Sequence, residues 1–462
     1  MSKPKELIAV IDVGKTNVKL TCIDTVSGAS VFSAQKNNSA LTTPVGKQLD
    51  VAAIEAWLVE TLSNFPLKKS ISALFPVAHG AAAALIDAQG NVIAVPDYED
   101  PIFDQSAPAY QNVRDPFEAT FSPSLAAGLN LGAQWFFFER EHEDAWRRTA
   151  HLLLYPQYWA WRFCGVMASE VTSLGCHSDA WSPTQRQFST CARTRKWDRL
   201  LPPIRYAGDV LGTVSASMAH ASGLSPSCKV LCGMHDSSAS FLGHRARRNA
   251  DTPFSIISSG TWTVIMATHV DLHRLRCDHD MLANVDVFGS PVATARFMGG
   301  REFATIAGTT NASIACGPAD IERVIDAGSM ALPSFVQTGG PFPNQPGRCV
   351  NAQNLDAAAF AALATLYVAL VTDWLLDELQ THGDLLIDGP LARNPKFAAV
   401  MQALRPRTPV YLAHDQSGAE AAAWYLYAGK SSAGESSVPA QLDPARIALY
   451  RTQWRKLAIP DL

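Results

Sequence analysis

The chain carries no marked excess of either charge. Its 38 Lys and Arg stand against 42 Asp and Glu among 462 residues, a net charge of −4. This excludes the broad basic surface that nucleic acid or anionic lipid demands. There is no CxxC pair. The nine cysteines, Cys22, Cys164, Cys176, Cys191, Cys228, Cys232, Cys277, Cys316 and Cys349, are scattered and odd in number, which points to reduced thiols in the cytoplasm and away from a disulfide framework. A signal-peptide core is missing too, because the first apolar run, 7–11, ends at Asp12. The most apolar long stretch, 152–168, is interrupted by Pro156, Gln157 and Arg162. It therefore reads as a buried helix and not as a membrane span, which needs ~20 mostly apolar residues. Neither GxxxxGK[ST] nor GxGxxG occurs, which disfavours P-loop and Rossmann cofactor sites.

What the chain does contain is the material of a folded enzyme. Hydrophobic residues make up 47% and charged residues 17%, and the 29 glycines and 28 prolines are an ordinary share. The length allows two to four domains. One group, His269, His273, Cys277 and His279, has spacings like those of metal ligands. Arg274 and Arg276 lie among them, and their charge would oppose a cation, so the group reads as a surface stretch.

Patterning places a strand at 7–12 and another at 18–24, joined by a tight polar turn. Further strands are expected at 71–77, 254–258, 261–267, 385–387 and 410–412. Helical patterns cover 126–163, 356–382, 396–404 and 419–428. The segments 165–194 and 430–439 are turn-rich and read as exposed, and 388–395 reads as a loop. The hairpin that opens the chain (Asp12-Val13-Gly14-Lys15-Thr16-Asn17) has a counterpart at Ser258-Ser259-Gly260-Thr261. Two α/β domains, each opening on a β-hairpin, follow from this repetition. The polar run at 244–249 puts their boundary near residue 246, giving 1–246 and 247–462.

Each hairpin offers small residues whose backbone N–H groups can approach phosphate oxygens, with Thr and Asn adding side-chain hydrogen bonds. Asp12, at the end of a strand, is of the type that holds Mg²⁺ through water. The alternative for either hairpin is an ordinary turn. The run 230–240 reads as a strand, a glycine, His235-Asp236, then small helix formers. A strand-to-helix corner presents polar residues at the carboxyl end of a sheet, where α/β ligands bind. Asp236 there is either a general base for a substrate hydroxyl or an N-cap.

Taken together these segments resemble the FGGY carbohydrate kinases, of the actin-like ATPase superfamily. IAVIDVGKTNVKLTCID resembles the first phosphate motif and VAHGAAAALIDAQGNVIAVPDYED the early substrate-binding stretch. CGMHDSSASFLG is similar to the catalytic-Asp segment and FSIISSGTWTVIM to the second phosphate motif. LLIDGPLARNPKFAAVMQAL followed by AEAAAWYLYAG resembles the adenosine motif and the closing helix. The resemblance implies two actin-like (ribonuclease H-like) α/β ATPase domains with a central catalytic cleft. Residues 1–246 would hold sugar, Mg²⁺ and phosphate, and residues 247–462 the nucleotide. It implies Asp236 as general base, Asp12 with Asp236 at Mg²⁺, and Gly14, Lys15, Thr16, Asn17, Gly260, Thr261, Gly389 and Asn394 toward ATP. His79, Gly80, His235 and Asp236 would border the sugar.

Two departures from the family pattern stand out. Lys15 occupies a position that is often Thr, and Asp388-Gly389-Pro390-Leu391 replaces a glycine-rich run, with Pro390 removing an N–H. His235-Asp236 and Gly260-Thr261-Trp262 most resemble rhamnulokinases and L-fuculokinases. This implies ATP-dependent phosphorylation of a 6-deoxy-ketohexose at O1, with a pentulose kinase or a non-catalytic sugar-binding relative as alternatives. The expected partner is a small sugar, with neither nucleic acid nor membrane, and a second copy of the chain as the one protein partner to consider.

Overall fold

Leu7–Val13 is buried along its length apart from the half-buried Asp12, as a strand covered on both faces must be. It pairs antiparallel with Asn17–Asp24 and parallel with Ile71–Ala78. The computed structural model describes residues 6–249, 251–308, 316–337, 339–343, 345–413, 418–431 and 434–459. They divide into two units. The first comprises Met1–Asn249, Ala283–Pro291 and Gln416–Ser432; the second comprises Ala250–Leu282, Val292–Asp415 and Ala433–Leu462.

The main sheet of the first unit runs Val210–Thr213, Lys229–Leu231, Ile71–Ala78, Leu7–Val13, Asn17–Asp24, Ser30–Asn37. Met234–His235 continues beside Ile71–Ala78 in parallel. The second unit repeats this plan, with Glu435–Ser437, Val410–Ala413, Asp384–Asp388, Phe254–Ser259, Thr263–Ala267 and Pro291–Phe297 in order. In both units two antiparallel pairings are followed by two parallel ones and a last antiparallel one. The repetition read from the two hairpins therefore extends to whole sheets, and the expected pair of α/β domains is present.

Period-two alternation decides which way Asp12 faces. Leu7, Ala9, Ile11 and Val13 pack on the side of helix Val51–Asn64, with Ile54, Leu58 and Leu62. Ile8 and Val10 pack on the other side, with Ala239 and Leu242 of helix Asp236–Arg245 and Ala419, Ala422 and Ala423 of helix Gly418–Ala428. Asp12 continues the even series and so faces these two helices. The helices approach closely because their contact residues are small. A Cβ on Gly418 would lie 2.2 Å from the Ser240 Cα, and one on Gly243 would lie 3.1 Å from the Ala421 Cβ.

Several elements differ from the sequence reading. The helical pattern over 126–163 is three helices and a strand, Leu131–Glu141, Glu143–Arg148, Thr149–Leu154 and Tyr155–Cys164. Leu154 closes the strand and holds the N-cap of the last helix, and Pro156 sits in that helix's first turn, where its missing N–H costs nothing, so the apolar stretch is strand first and helix second. The segment 165–194 is largely interior, with Ser169, Glu170, Thr172, Ser178 and Asp179 buried. Its polarity misleads because its polar groups are paired inside the fold: Asp179 accepts from Arg114 at 2.9 Å, Tyr110 at 2.8 Å and Asn130 at 3.1 Å. Segment 430–439 supplies the edge strand Glu435–Ser437, and 388–395 contains a 3₁₀ turn, Gly389–Arg393. Among the described residues one helix, Ala357–Glu378, is long and apolar enough to cross a membrane, and it is buried within the second unit.

Glu170 shows how that interior is secured. Its Oε2 accepts from the N–H of Thr172 at 2.9 Å and of Ser173 at 3.3 Å, capping the turn Val171–Leu174. Burial pushes its carboxyl up from 4.5 to about 7. The folded state thus binds this proton more tightly than the unfolded chain does, and its charge costs stability as pH rises from 4.5 through about 7. The Glu170→Gln variant is expected to remove up to roughly 3 kcal/mol of stability loss between pH 5 and 8. Urea unfolding midpoints of both proteins across that range check it, and parallel pH profiles would refute it.

Candidate active site

The carboxyl ends of three neighbouring strands in the first unit carry the candidate residues. Val77, in the middle strand, registers with Asp12 on one side and Met234 on the other. The middle strand runs out into His79-Gly80, and the short third one into His235-Asp236. Ligands of α/β sheets bind at such ends. Gly233 permits the corner, since its φ is +80° and a Cβ would stand 2.2 Å from the Pro76 carbonyl oxygen.

Asp236 is the first residue of helix Asp236–Arg245, and His235 holds the N-cap position. Asp236 therefore does not hold the N-cap position that one reading of the sequence allowed, although its Oδ1 accepts from the Ser237 N–H at 2.5 Å; the carboxylate is partly exposed, with Oδ1 also 3.1 Å from His235 Nε2. His235 is buried and held on several sides. Its N–H donates to Thr172 Oγ1 at 3.0 Å, Nδ1 lies 3.3 Å from Ser238 Oγ, and Nε2 lies 3.3 Å from Cys176 Sγ. Burial lowers its pKa, against the opposing pull of Asp236. A ring with its proton on Nε2 donates to Asp236 and fixes that carboxylate without adding charge.

His79 is also kept neutral. Burial lowers its pKa, while the Gly80 carbonyl and Asp236 act the other way. Its Nδ1 donates to the Gly80 oxygen at 2.8 Å, which leaves the Nε2 lone pair as an acceptor. Its ring meets Tyr155 at 5.0 Å and Tyr98 edge-on at 5.5 Å.

Asp12 holds its proton up to about 7, first because the protein around this half-buried carboxyl withdraws water from it and next because Asp236 is near; Lys19 opposes this and Glu420 adds to it. Lys19 itself pairs with Glu420 at 2.9 Å. A divalent cation at this acidic pair would relieve the repulsion, so the donor chemistry fits Mg²⁺. Among the described residues no three His, Cys, Asp or Glu side chains form a metal-holding group, so further ligands would come from water and phosphate. The histidine-rich stretch carries its own pairings, His279 lying 3.6 Å from Glu378 and against Trp374.

The turn after Asp12 is braced by Asn38, whose Nδ2 donates to the Gly14 oxygen at 2.7 Å and whose N–H donates to the Thr16 oxygen at 2.8 Å. Thr16 and Asn17 are exposed. Lys15 turns to other partners. It pairs with Asp97, sits 3.4 Å from Glu99 and lies over the Tyr98 ring.

In the second unit, Gly260 and Thr261 are exposed at the hairpin tip, where the Gly260 N–H donates to the Trp262 oxygen at 2.8 Å. Gly300, at the start of helix Gly299–Ala307, abuts this tip; a Cβ there would lie 2.1 Å from the Gly260 oxygen. Gly389, with φ +75°, passes so close to the hairpin that a Cβ would stand 2.3 Å from the Ser259 oxygen. Ser259 Oγ donates to the Asp388 oxygen and accepts from the Leu391 N–H, both at 2.8 Å. Pro390 sits within the first turn of the 3₁₀ segment, where a missing N–H costs nothing. Asn394 caps helix Pro395–Leu404, accepting from Lys396 and Phe397 N–H at 3.1 and 3.3 Å. Its carboxamide oxygen is thereby engaged within the fold.

The first unit therefore gathers Asp12, His79, Gly80, His235 and Asp236, and the second gathers Gly260, Thr261 and Gly389. Sequence reasoning carried Asp97, Tyr98 and Glu99, which surround Lys15, only as the end of the substrate-binding stretch with no role for any of them, and did not single out Cys176, Glu420 or Gly300. The run PDYED, directly after an apolar strand, was the one local signal for the first three.

Against known proteins, residues 251–436 match the carbohydrate kinase FGGY C-terminal domain. The crystal structure of a carbohydrate kinase from Novosphingobium aromaticivorans is 34% identical, covers 99% of each chain and superposes with a TM-score of 0.91. The chain belongs to the FGGY carbohydrate kinase family. L-fuculokinase from Salmonella typhi is 25% identical over 282 residues, which are 57% of this chain, and the chain spans 56% of the length of that relative. The xylulose kinase of Lactobacillus acidophilus, at 14% identity over 98% of this chain and 97% of its own with a TM-score of 0.77, shares the two-domain actin-like fold. The FGGY membership and this fold agree with the resemblance seen in the sequence.

Gly80 tests the tightness of this site. A Cβ there would stand 2.8 Å from Cys176 Sγ and 3.0 Å from His235 Nε2. Gly80→Ala is expected to push His235 off Asp236, lowering kcat about tenfold or more while the melting temperature falls by only a few degrees, roughly what ~1 kcal/mol produces. Steady-state rates and a thermal melt on one preparation decide it; an unchanged kcat would show that His235 does not set the carboxylate.

Proposed function

We propose that this FGGY family member transfers the γ-phosphoryl group of ATP to a hydroxyl of a small neutral sugar. The observation that carries this is the pair of strand-end carboxylates, with Asp236 partly exposed and held by a buried neutral histidine. In this reading Asp236 accepts the proton of the attacking hydroxyl, and His235 keeps Oδ1 in place through Nε2. His79 takes a sugar hydroxyl on Nε2. Asp12, with Asp236, holds Mg²⁺, which when bound supplies positive charge to the phosphate oxygens. The Gly14 and Gly260 N–H groups close their own hairpins, so these glycines serve by letting the phosphates approach, with the N–H groups of Lys15, Thr16 and Thr261 beside them, and the close-packed Gly389 turn serves the nucleoside. Asn394 contributes by starting the helix behind that turn. The cytoplasm, reducing enough to keep nine cysteines out of disulfides, is the proposed compartment.

The charge around the site favours a neutral sugar over a sugar acid. Asp97 and Glu99 share Lys15, Glu420 and Asp12 share Lys19, and Asp236 adds a further negative charge. A substrate carboxylate would meet net negative charge. Within neutral sugars, the similarity to L-fuculokinase and the His235-Asp236 and Gly260-Thr261-Trp262 sequences support a 6-deoxy-ketohexose phosphorylated at O1.

The Asp236→Asn variant is expected to lose ~10²–10⁴-fold in kcat while still binding sugar in calorimetry, because the amide keeps the shape but cannot take the proton. Turnover at the wild-type rate would remove Asp236 from its role. For substrate choice, kcat/KM is to be compared for L-fuculose, L-rhamnulose, D-xylulose and L-ribulose. One of the two 6-deoxy sugars is expected to lead the pentuloses by roughly 10–200-fold, the range available to a methyl-sized pocket. A pentulose preferred more than about tenfold over both would overturn the substrate and leave the phosphotransfer standing.

A further inference from the structure

A lysine in a phosphate-binding hairpin invites the role of phosphate ligand, but the Lys15 ammonium is already engaged elsewhere. It pairs with the buried Asp97, lies 3.4 Å from Glu99 Oε2 and stands 5.1 Å from the centroid of the Tyr98 ring. One ammonium between two carboxylates leaves a net negative charge, which repels phosphate oxygens. The Asp97–Glu99 segment has further anchors. The Asp97 N–H donates to the Lys47 oxygen at 3.0 Å, Asp97 Oδ1 accepts from the Glu99 N–H at 3.0 Å, and the Tyr98 oxygen accepts from the Gly128 N–H at 2.9 Å. What Lys15 adds is a tie from this segment back to the turn after Asp12. Beyond Tyr98 lies His79, edge-on at 5.5 Å with rings crossed at 70°. Lys15, Tyr98 and His79 thus form a continuous wall from the phosphate hairpin to the strand end at Gly80.

We propose that Lys15 is a positioning residue for the sugar, fixing Tyr98 against His79 through Asp97 and Glu99, and is not a ligand of the nucleotide. The inference rests on the kinase reading above and assigns Lys15 to the other substrate. It also accounts for a cation where the family often carries Thr: the lysine answers Asp97 and Glu99, residues of this chain's own sugar-side segment.

The test is steady-state kinetics of Lys15→Met and Lys15→Arg with MgATP and whichever of L-fuculose, L-rhamnulose, D-xylulose and L-ribulose the unsubstituted protein uses best. Lys15→Met is expected to raise the sugar KM about tenfold or more, with the ATP KM changed less than about twofold. Lys15→Arg, which keeps the charge, is expected to recover most of the sugar affinity. Glu99→Gln, at a solvent-facing side chain, carries the same test if Lys15→Met does not fold, with a sugar KM raised roughly two- to threefold and the ATP KM unchanged. A raised ATP KM with sugar KM unchanged, or no change in either, overturns the inference alone. If the unsubstituted protein turns over none of the four, the same variants are run on the best acceptor from a wider panel of neutral sugars and polyols, and ATP transfer to no member of that panel overturns the kinase reading, and the inference with it.

Discussion

Two carboxylates held in one field at the ends of two strands on either side of a third are the constraint around which the first unit is built. Asp12 and Asp236 flank the strand Ile71–Ala78, and burial together with Asp236 pushes the Asp12 carboxyl up to about 7. An arrangement chosen for stability alone would separate them or place a cation between them. Lys19 is close enough to lower Asp12, yet Glu420 shares it at 2.9 Å. The repulsion is therefore retained by the fold, as happens where charge is to be balanced by something that binds.

The surroundings of the pair keep it from relaxing. Glu170 caps the turn that presents Thr172, and Thr172 Oγ1 receives the N–H of His235. His235 in turn reaches Asp236 through Nε2, which Cys176 also approaches, with Ser238 at Nδ1 on the other side of the ring. Every member of this chain is buried except the terminal carboxylate, so the one side chain left partly open to solvent is the one assigned to take a proton. Gly80 and Gly233 matter for the same reason. A methyl group at either would displace the backbone or side chains that set the histidine.

The two units share a strand order but differ in the residues their hairpins carry. The first hairpin follows an acid, and its turn is tied down by Asn38. The second has Ser258-Ser259 where the first has acidic character, and its environment is a set of close backbone approaches, Gly300 to Gly260 and Gly389 to Ser259. Backbone proximity of this kind suits oxygen-rich ligands of low specificity, whereas paired carboxylates with neutral histidines suit a hydroxyl that must lose its proton. One sheet plan thus supports two kinds of surface, distinguished by a handful of turn residues.

Local pattern was enough to read the opening hairpins, their repetition and the strand-to-helix corner at His235-Asp236, because each depends on short-range propensity and turn chemistry. The face toward which Asp12 points also follows from alternation along Leu7–Val13, once the partner helices are known. Sequence by itself did not determine that 165–194 is interior. Its polar residues are satisfied by partners far along the chain, Asp179 by Arg114, Tyr110 and Asn130, and such pairing leaves no periodicity to read. Nor did it determine the fate of Lys15, which a motif assigns to phosphate and the tertiary structure assigns to Asp97 and Glu99, more than 80 positions away. Residue type and spacing are written in the chain, whereas the partner of a charge is fixed only when distant segments are brought within a few ångströms and water is removed from between them.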